Sequence, residues 1–115
     1  YNLPGVAFRT IHFKPFSGSL QGKLIHGVQF HYTEYETACC TLTQFYVMQA
    51  VNELYPEKNP FALSKGRNNM FDKVCGTDYV RTAFGKRLKV EDIVDYWSKD
   101  VEAFRKLSKK YWLYY

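Results

Sequence analysis

The run VAFRTIHFK, residues 6–14, is β-branched and aromatic and predicts a first strand. Residues 24–33 predict a second. Read with period two, they set Val28, Phe30 and Tyr32 on one side and Gln29, His31 and Thr33 on the other. The first side has the character of core, and Gly27 marks a bulge or a close approach. Pro15 and SGSLQG between the strands form a loop that need not be a tight hairpin. If the two strands pair, Arg9 comes near the Gln29 side.

From Ala38 the period changes. Ala38, Leu42, Phe45, Met48, Val51 and Leu54 follow at steps of three or four, which predicts a helix over 38–55 with one buried face. Thr33-x-x-Glu36 and Thr37 are alternative caps, and Pro56 ends the helix. PEKNPFALSKGRNN then reads as a polar surface loop. Two short helical segments follow. FDKVCG stops at Gly76, and TDYVRTAFG starts on a Thr or Asp cap and stops at Gly85. A last helix is predicted over 91–111, with Ile93, Trp97, Val101, Phe104 and Tyr111 inward and Glu91 and Asp92 at its positive end. The closing YWLYY reads as a final short strand or an aromatic plug. The order gives an α+β fold: a small antiparallel sheet from the N-terminal strands, packed against a long mid-chain helix and a C-terminal helix, with short helices between.

A length of 115 residues and a hydrophobic share of 46% suit one domain, residues 1–115, with a compact core. The net charge of +5 is spread out, apart from groups at 64–67, 85–89 and 105–110. That lacks the dense basic stripe of a nucleic-acid module, so no nucleic-acid partner is expected. No apolar run reaches the roughly 20 residues of a membrane span. The chain opens on YNLPG without methionine, which reads as a fragment whose upstream sequence is missing.

The chemistry is sparse. Cys39, Cys40 and Cys75 form no CxxC pair and read as small buried hydrophobes. His12, His26 and His31 invite a metal, yet a regular strand sends His26 and His31 to opposite faces, so no metal and no cofactor is expected. Glu34, Glu36, Asp72 and Asp78 each have a plainer role in capping or first-turn charge, and no pair is singled out for glycoside hydrolysis. No nucleophile motif is present. These residues assign no catalytic group. What remains is the set Gln29, His31, Thr33 and Arg9, whose amide, imidazole, hydroxyl and guanidinium suit a sugar or carboxylate. A solvent-facing sheet would alternate in the same way.

Several segments together resemble a known family. LPGVAFRTIHFKPF, GKLIHGVQFHYTEY, VNELYP, MFDKVCGTDYVR and DYWSKDVEAFRKLSKKYWLYY occur in the order found in the C-terminal domain of NamZ-like exo-β-N-acetylmuramidases, formerly a domain of unknown function. Gly27, Val28, Gln29 and His31 match one family word. Phe71, Asp72, Gly76, Thr77, Asp78 and Arg81 match another, with Asp78 and Arg81 free to pair across a turn. Ile25-His26 stands where relatives carry Cys-Gly, and Cys40 where a helix-starting proline is usual.

The resemblance implies an accessory domain of a larger two-domain bacterial enzyme. The catalytic residues would belong to an N-terminal Rossmann-like domain of the same chain, and this domain would wall a cleft for peptidoglycan-derived muramyl sugars. It implies a periplasmic or cell-surface location. Gln29, His31, Arg9 and Thr33 would then be substrate contacts. The alternative is a structural domain that only stabilises the catalytic one, marked by an exposed apolar patch from the Tyr and Trp residues at 111–115.

Overall fold

The computed structural model describes residues 1–64 and 66–114. Lys65 of the basic group at 64–67 and Tyr115 of the closing aromatic run lie outside the described residues. The chain divides into two compact units, residues 1–41 and 42–115. The expected α+β content is present, as a two-stranded antiparallel sheet and a series of helices.

The first unit is a ribbon of β1, Val6–Phe13, and β2, Ile25–Tyr32. Its register pairs Val6 with Tyr32, Phe8 with Phe30, Thr10 with Val28 and His12 with His26. The intervening pairs are Ala7–His31, Arg9–Gln29, Ile11–Gly27 and Phe13–Ile25. The ladder runs one to one through Gly27, so the bulge that the glycine suggested is not formed. Gly5 closes the open end. Its carbonyl accepts from Thr33 N–H at 2.9 Å, and its φ of +68° suits glycine. A Cβ there would stand 2.5 Å from the Glu34 carbonyl oxygen. Thr37, offered as a cap, instead closes the turn before the helix by donating to the Glu34 carboxylate at 3.0 Å.

The side with core character is not core. Val28 is 56% exposed and Phe30 is 37% exposed, whereas Gln29 across the strand is half-buried. Alternation identified the faces correctly but could not say which one is covered, because a lone ribbon has two faces and one neighbour per strand. Phe8 and Phe30 instead meet edge to face across the strands, with centroids 5.4 Å apart.

The second unit opens within α1, Cys40–Leu54, and continues through α2, Pro60–Leu63; α3, Asn68–Cys75; α4, Tyr79–Phe84; α5, Val94–Ser98; and α6, Val101–Ser108. Three-residue 3₁₀ turns lie at Pro56–Lys58, Val90–Asp92 and Lys109–Tyr111. Its core gathers Leu42, Phe45, Val80, Phe84, Leu88, Val90 and Ile93. Phe45 is fully buried and touches Phe71, Phe84 and Trp97 edge to face at 6.3, 5.2 and 5.4 Å. Phe61 extends the cluster onto Phe71 and Phe84.

Two expectations change here. The surface loop contains α2: Asn59 accepts from Phe61 N–H and Ala62 N–H at 2.9 and 3.2 Å, and Pro60 takes the first helical position. The single last helix is broken. Ser98 and Asp100 are poor helix-interior residues, and the chain turns at Lys99–Asp100 between α5 and α6. Beyond the break the anticipated inner face lies open, with Phe104 68% exposed and Tyr111 also exposed. Among the described residues the sheet has two strands, so 112–114 supplies no third.

The stop at Gly76 is a Schellman closure. Gly76, with φ of +72°, donates to the Lys73 carbonyl, and Thr77 N–H donates to the Asp72 carbonyl at 3.1 Å. The Thr77 hydroxyl then accepts from Tyr79 N–H at 3.1 Å and starts α4. Leu88 holds a left-handed φ of +54° without being glycine. It is only 2% exposed, and its N–H donates to the Phe84 carbonyl at 2.7 Å, so burial offsets the backbone strain.

Arg81 on α4 grips Asp72 on α3 with two parallel bonds, Nε to Oδ1 at 2.7 Å and Nη2 to Oδ2 at 2.8 Å. These bonds hold the Asp72 carboxyl below its usual range, against a smaller opposing effect of desolvation. A carboxyl whose native pKa is lowered stabilises the fold above the ordinary aspartate range, about pH 4. That stabilisation is lost as pH falls through the lowered native value.

Two outcomes follow from this packing. Phe45→Ala should lower unfolding stability by about 3–5 kcal/mol in urea titrations, since the cavity would open among three rings. Asp72→Asn should destabilise the domain at neutral pH and flatten the acid-side decline of its melting temperature. A melting profile below pH 5 that matches wild type in shape would show that the Arg81 pair carries none of it.

Candidate functional site

The ribbon brings together most of the residues singled out in the sequence. Arg9 and Gln29 are register partners, and the Arg9 Nη2–H donates to Gln29 Oε1 at 2.6 Å. His31 lies two residues further along β2 on the same face, opposite Ala7. Arg9 and His31 are exposed and Gln29 is half-buried. Thr33 falls one residue beyond the end of β2, and its backbone N–H is occupied by Gly5.

Arg9, like Arg67, differs from the other arginines in having no ion pair among the described residues. Arg81 holds Asp72, Arg87 holds Asp92 and Glu91, and Arg105 holds Glu102. Among the described residues Arg9 has no carboxylate partner, and its hydrogen bond goes to a neutral amide. A guanidinium offers five N–H donors in a fixed plane. Gln29 engages one and thereby fixes the plane, leaving a donor edge free for an incoming oxygen.

The second group is differently arranged. Arg81 does not pair with Asp78 across the turn. It is spent on Asp72, and Asp78 stands exposed at the start of α4 with only a distant electrostatic influence on Arg81. The sequence placed Asp72 as a first-turn charge and so missed its partner Arg81 nine positions downstream. A depression of about 320 Å³ beside it is lined by Gly76, Thr77, Tyr96, Trp97, Lys99 and Asp100, among others. Tyr96 is already engaged there, stacked on Tyr79 at 4.2 Å with the Lys99 ammonium over its ring.

Arg87 likewise holds Asp92 below its usual range, chiefly by hydrogen bonding. Burial pushes the Cys75 thiol up, reinforced by the Asp72 charge, which makes it a poor nucleophile. Cys39 and Cys40 are exposed, against the expectation of burial, because they lie just before and at the start of α1, ahead of its first buried residue, Leu42; Cys75 is only partly buried.

The histidines divide between the ribbon's faces. His12 and His26 meet across the strands, with ring centroids 4.5 Å apart and planes nearly perpendicular, while His31 lies on the other face. Among the described residues no three His, Cys, Asp or Glu side chains gather as a metal ligand set. No helix among them is long and apolar enough to cross a membrane.

The model of the family "Exo-beta-N-acetylmuramidase NamZ, C-terminal" matches residues 1–114. The chain is 37% identical to the peptidoglycan beta-N-acetylmuramidase NamZ of Bacillus subtilis (strain 168) over 113 residues, which is 98% of this chain and 26% of that protein. The crystal structure of a DUF1343 family protein from Bacteroides fragilis NCTC 9343 superposes with a TM-score of 0.91 at 46% identity. That match covers 98% of this chain and 30% of the other. The chain thus spans between a quarter and a third of the length of these relatives. The match runs from the first strand through the last helix, and the chain belongs to the family of NamZ C-terminal domains.

Proposed function

We propose that this domain is the accessory, cleft-forming part of a peptidoglycan-degrading exo-β-N-acetylmuramidase, a glycoside hydrolase, and contacts the N-acetylmuramic acid of its substrate. The observation that carries this reading is the Arg9–Gln29 pair: a guanidinium fixed by an amide and free of any carboxylate among the described residues. Muramic acid bears a lactyl carboxylate beside a hydroxylated pyranose. The free edge of Arg9 fits the carboxylate, and Gln29, His31 and Thr33 offer donors and acceptors for the ring substituents.

No catalytic group is assigned to this chain. Proton transfer and attack on the glycosidic carbon fall to the remainder of the parent protein, and this domain would act by orienting the sugar against them. Chemistry on cell-wall glycan accords with a periplasmic or cell-surface setting in a bacterium.

A second reading rests on a different observation. Val101, Phe104 and Leu107 form an exposed apolar stripe on α6, and exposed Tyr111, Trp112, Leu113 and Tyr114 follow it. Such a surface suits a domain whose task is to hold its catalytic neighbour in place.

Arg9→Ala, Gln29→Ala and His31→Ala in the full-length parent enzyme separate the two. With a chromogenic β-muramide, a cleft wall should lose about tenfold or more in kcat/KM, roughly 1.4 kcal/mol. The melting temperature should hold in His31→Ala, whose side chain is exposed, and fall only slightly in Arg9→Ala and Gln29→Ala, which lose one cross-strand pair. Wild-type turnover in all three variants would leave only the structural reading standing.

A further inference from the structure

All eleven carboxylates of the chain lie at or after Glu34. The first 33 residues carry Arg9, Lys14, Lys23 and all three histidines, with no Asp or Glu among them. Each of these six side chains is exposed, and none has an ion pair among the described residues. After Glu34 several cations do find a carboxylate, as Arg81, Arg87, Lys89 and Arg105 show. The ribbon therefore presents one sign of charge to solvent over its whole length.

Its loop end has a distinct composition. Gly22 N–H donates to the Pro15 carbonyl at 3.0 Å, which draws the chain at Lys14 and Lys23 to the same end of the ribbon. His12 and His26 stand just behind them as register partners. Between the lysines the loop carries Phe16, 93% exposed, a large ring with almost no cover from the chain. Two ammonium groups and two imidazoles supply attraction and donors for carboxylates. A bare aromatic ring supplies the flat apolar face on which a pyranose can lie.

We propose that this ribbon end, built from Lys14, Phe16 and Lys23 with His12 and His26, is a docking surface for the carboxylate-bearing glycan polymer of the cell wall. It is separate from the Arg9–Gln29 pair. The proposal rests on the muramidase reading for its choice of polymer and adds to it a second point of attachment. Exposed like charges within a Debye length, about 10 Å at 0.1 M salt, act on a polyanion together. The surface would hold the polymer by several weak contacts and release it as salt rises. The ring at the tip favours a glycan over a poly(alditol phosphate) chain of the wall, which has no flat face to stack.

The test uses the full-length parent enzyme, in wild-type form and as Lys14→Gln/Lys23→Gln and Phe16→Ala. Each is sedimented with peptidoglycan sacculi stripped of phosphodiester polymers, over a series of NaCl concentrations. Wild type should co-sediment at low salt and detach as salt rises. Both variants should bind about fivefold or more weakly. Sacculi whose carboxylates have been converted to methylamides should retain little wild-type protein. Turnover of the small chromogenic β-muramide should stay at the wild-type level in both variants, because they leave Arg9, Gln29 and His31 in place. This separates failure of the docking surface from failure of the cleft reading.

Unchanged sedimentation of the variants, or binding indifferent to salt or to carboxylate blocking, would overturn the proposal. So would binding seen only before the phosphodiester polymers are stripped, or stronger binding to phosphatidylglycerol vesicles than to sacculi.

Discussion

The helical unit depends on a single ring. Phe45 stands on the longest helix, α1, and its edges and faces meet α3 through Phe71, α4 through Phe84 and α5 through Trp97. Those partner helices have eight, six and five residues, well below the length at which a helix is stable alone in water. Each persists because its aromatic residue has somewhere to be buried. The arrangement explains why capping is so complete between α3 and α4. The Schellman closure at Gly76, the Thr77 hydroxyl and the Arg81–Asp72 fork together fix the angle at which Phe71 and Phe84 approach the common ring.

The ribbon obeys a different constraint. A two-stranded sheet is marginal in water by itself, and one that is mainly exposed must gain order from cross-strand pairs. Phe8–Phe30 and His12–His26 serve this purpose on one face, and Arg9–Gln29 on the other. The same pairs leave the polar groups aligned and accessible. Order within the ribbon and exposure of its donors thus come from one set of contacts. This is why the Arg9 guanidinium can be both fixed in direction and free of a counter-charge.

Legibility in the sequence tracked the range of the interactions involved. Local grammar was readable. The strand limits fell within a residue or two, Pro56 lay just past the end of α1, and Gly76 closed α3. The cap at Asn59 was equally local, an Asn-Pro start, but the surrounding polar residues masked it. What could not be read depended on distant partners. Asp72 and Arg81 are nine residues apart, and spacing alone favoured Asp78 because it shares the turn. The period-three stripe on α1 continues to Val51 and Leu54, although burial stops near Met48, since periodicity reports which residues share a face and not how far the face is covered. The same limit produced the one continuous helix over 91–111, where apolar spacing carried across a Ser-Lys-Asp break.

For the candidate site, alternation gave the grouping of Gln29 with His31, and pairing of the strands added Arg9. The decisive feature was absent from any short motif. It is the partition of charge along the chain, with carboxylates confined to the residues from Glu34 onward and every histidine placed before it. In the helical unit Arg81, Arg87 and Arg105 find carboxylates locally and act as staples between turns. In the ribbon they have no local anion to consume them. Unpaired cations on a mainly exposed ribbon remain hydrated and cost little to maintain, while partial desolvation against an anionic sugar would strengthen each contact. A ribbon whose exposed cations have no ion pair among the described residues is therefore the physical signature of a surface that finds its counter-charge in a ligand.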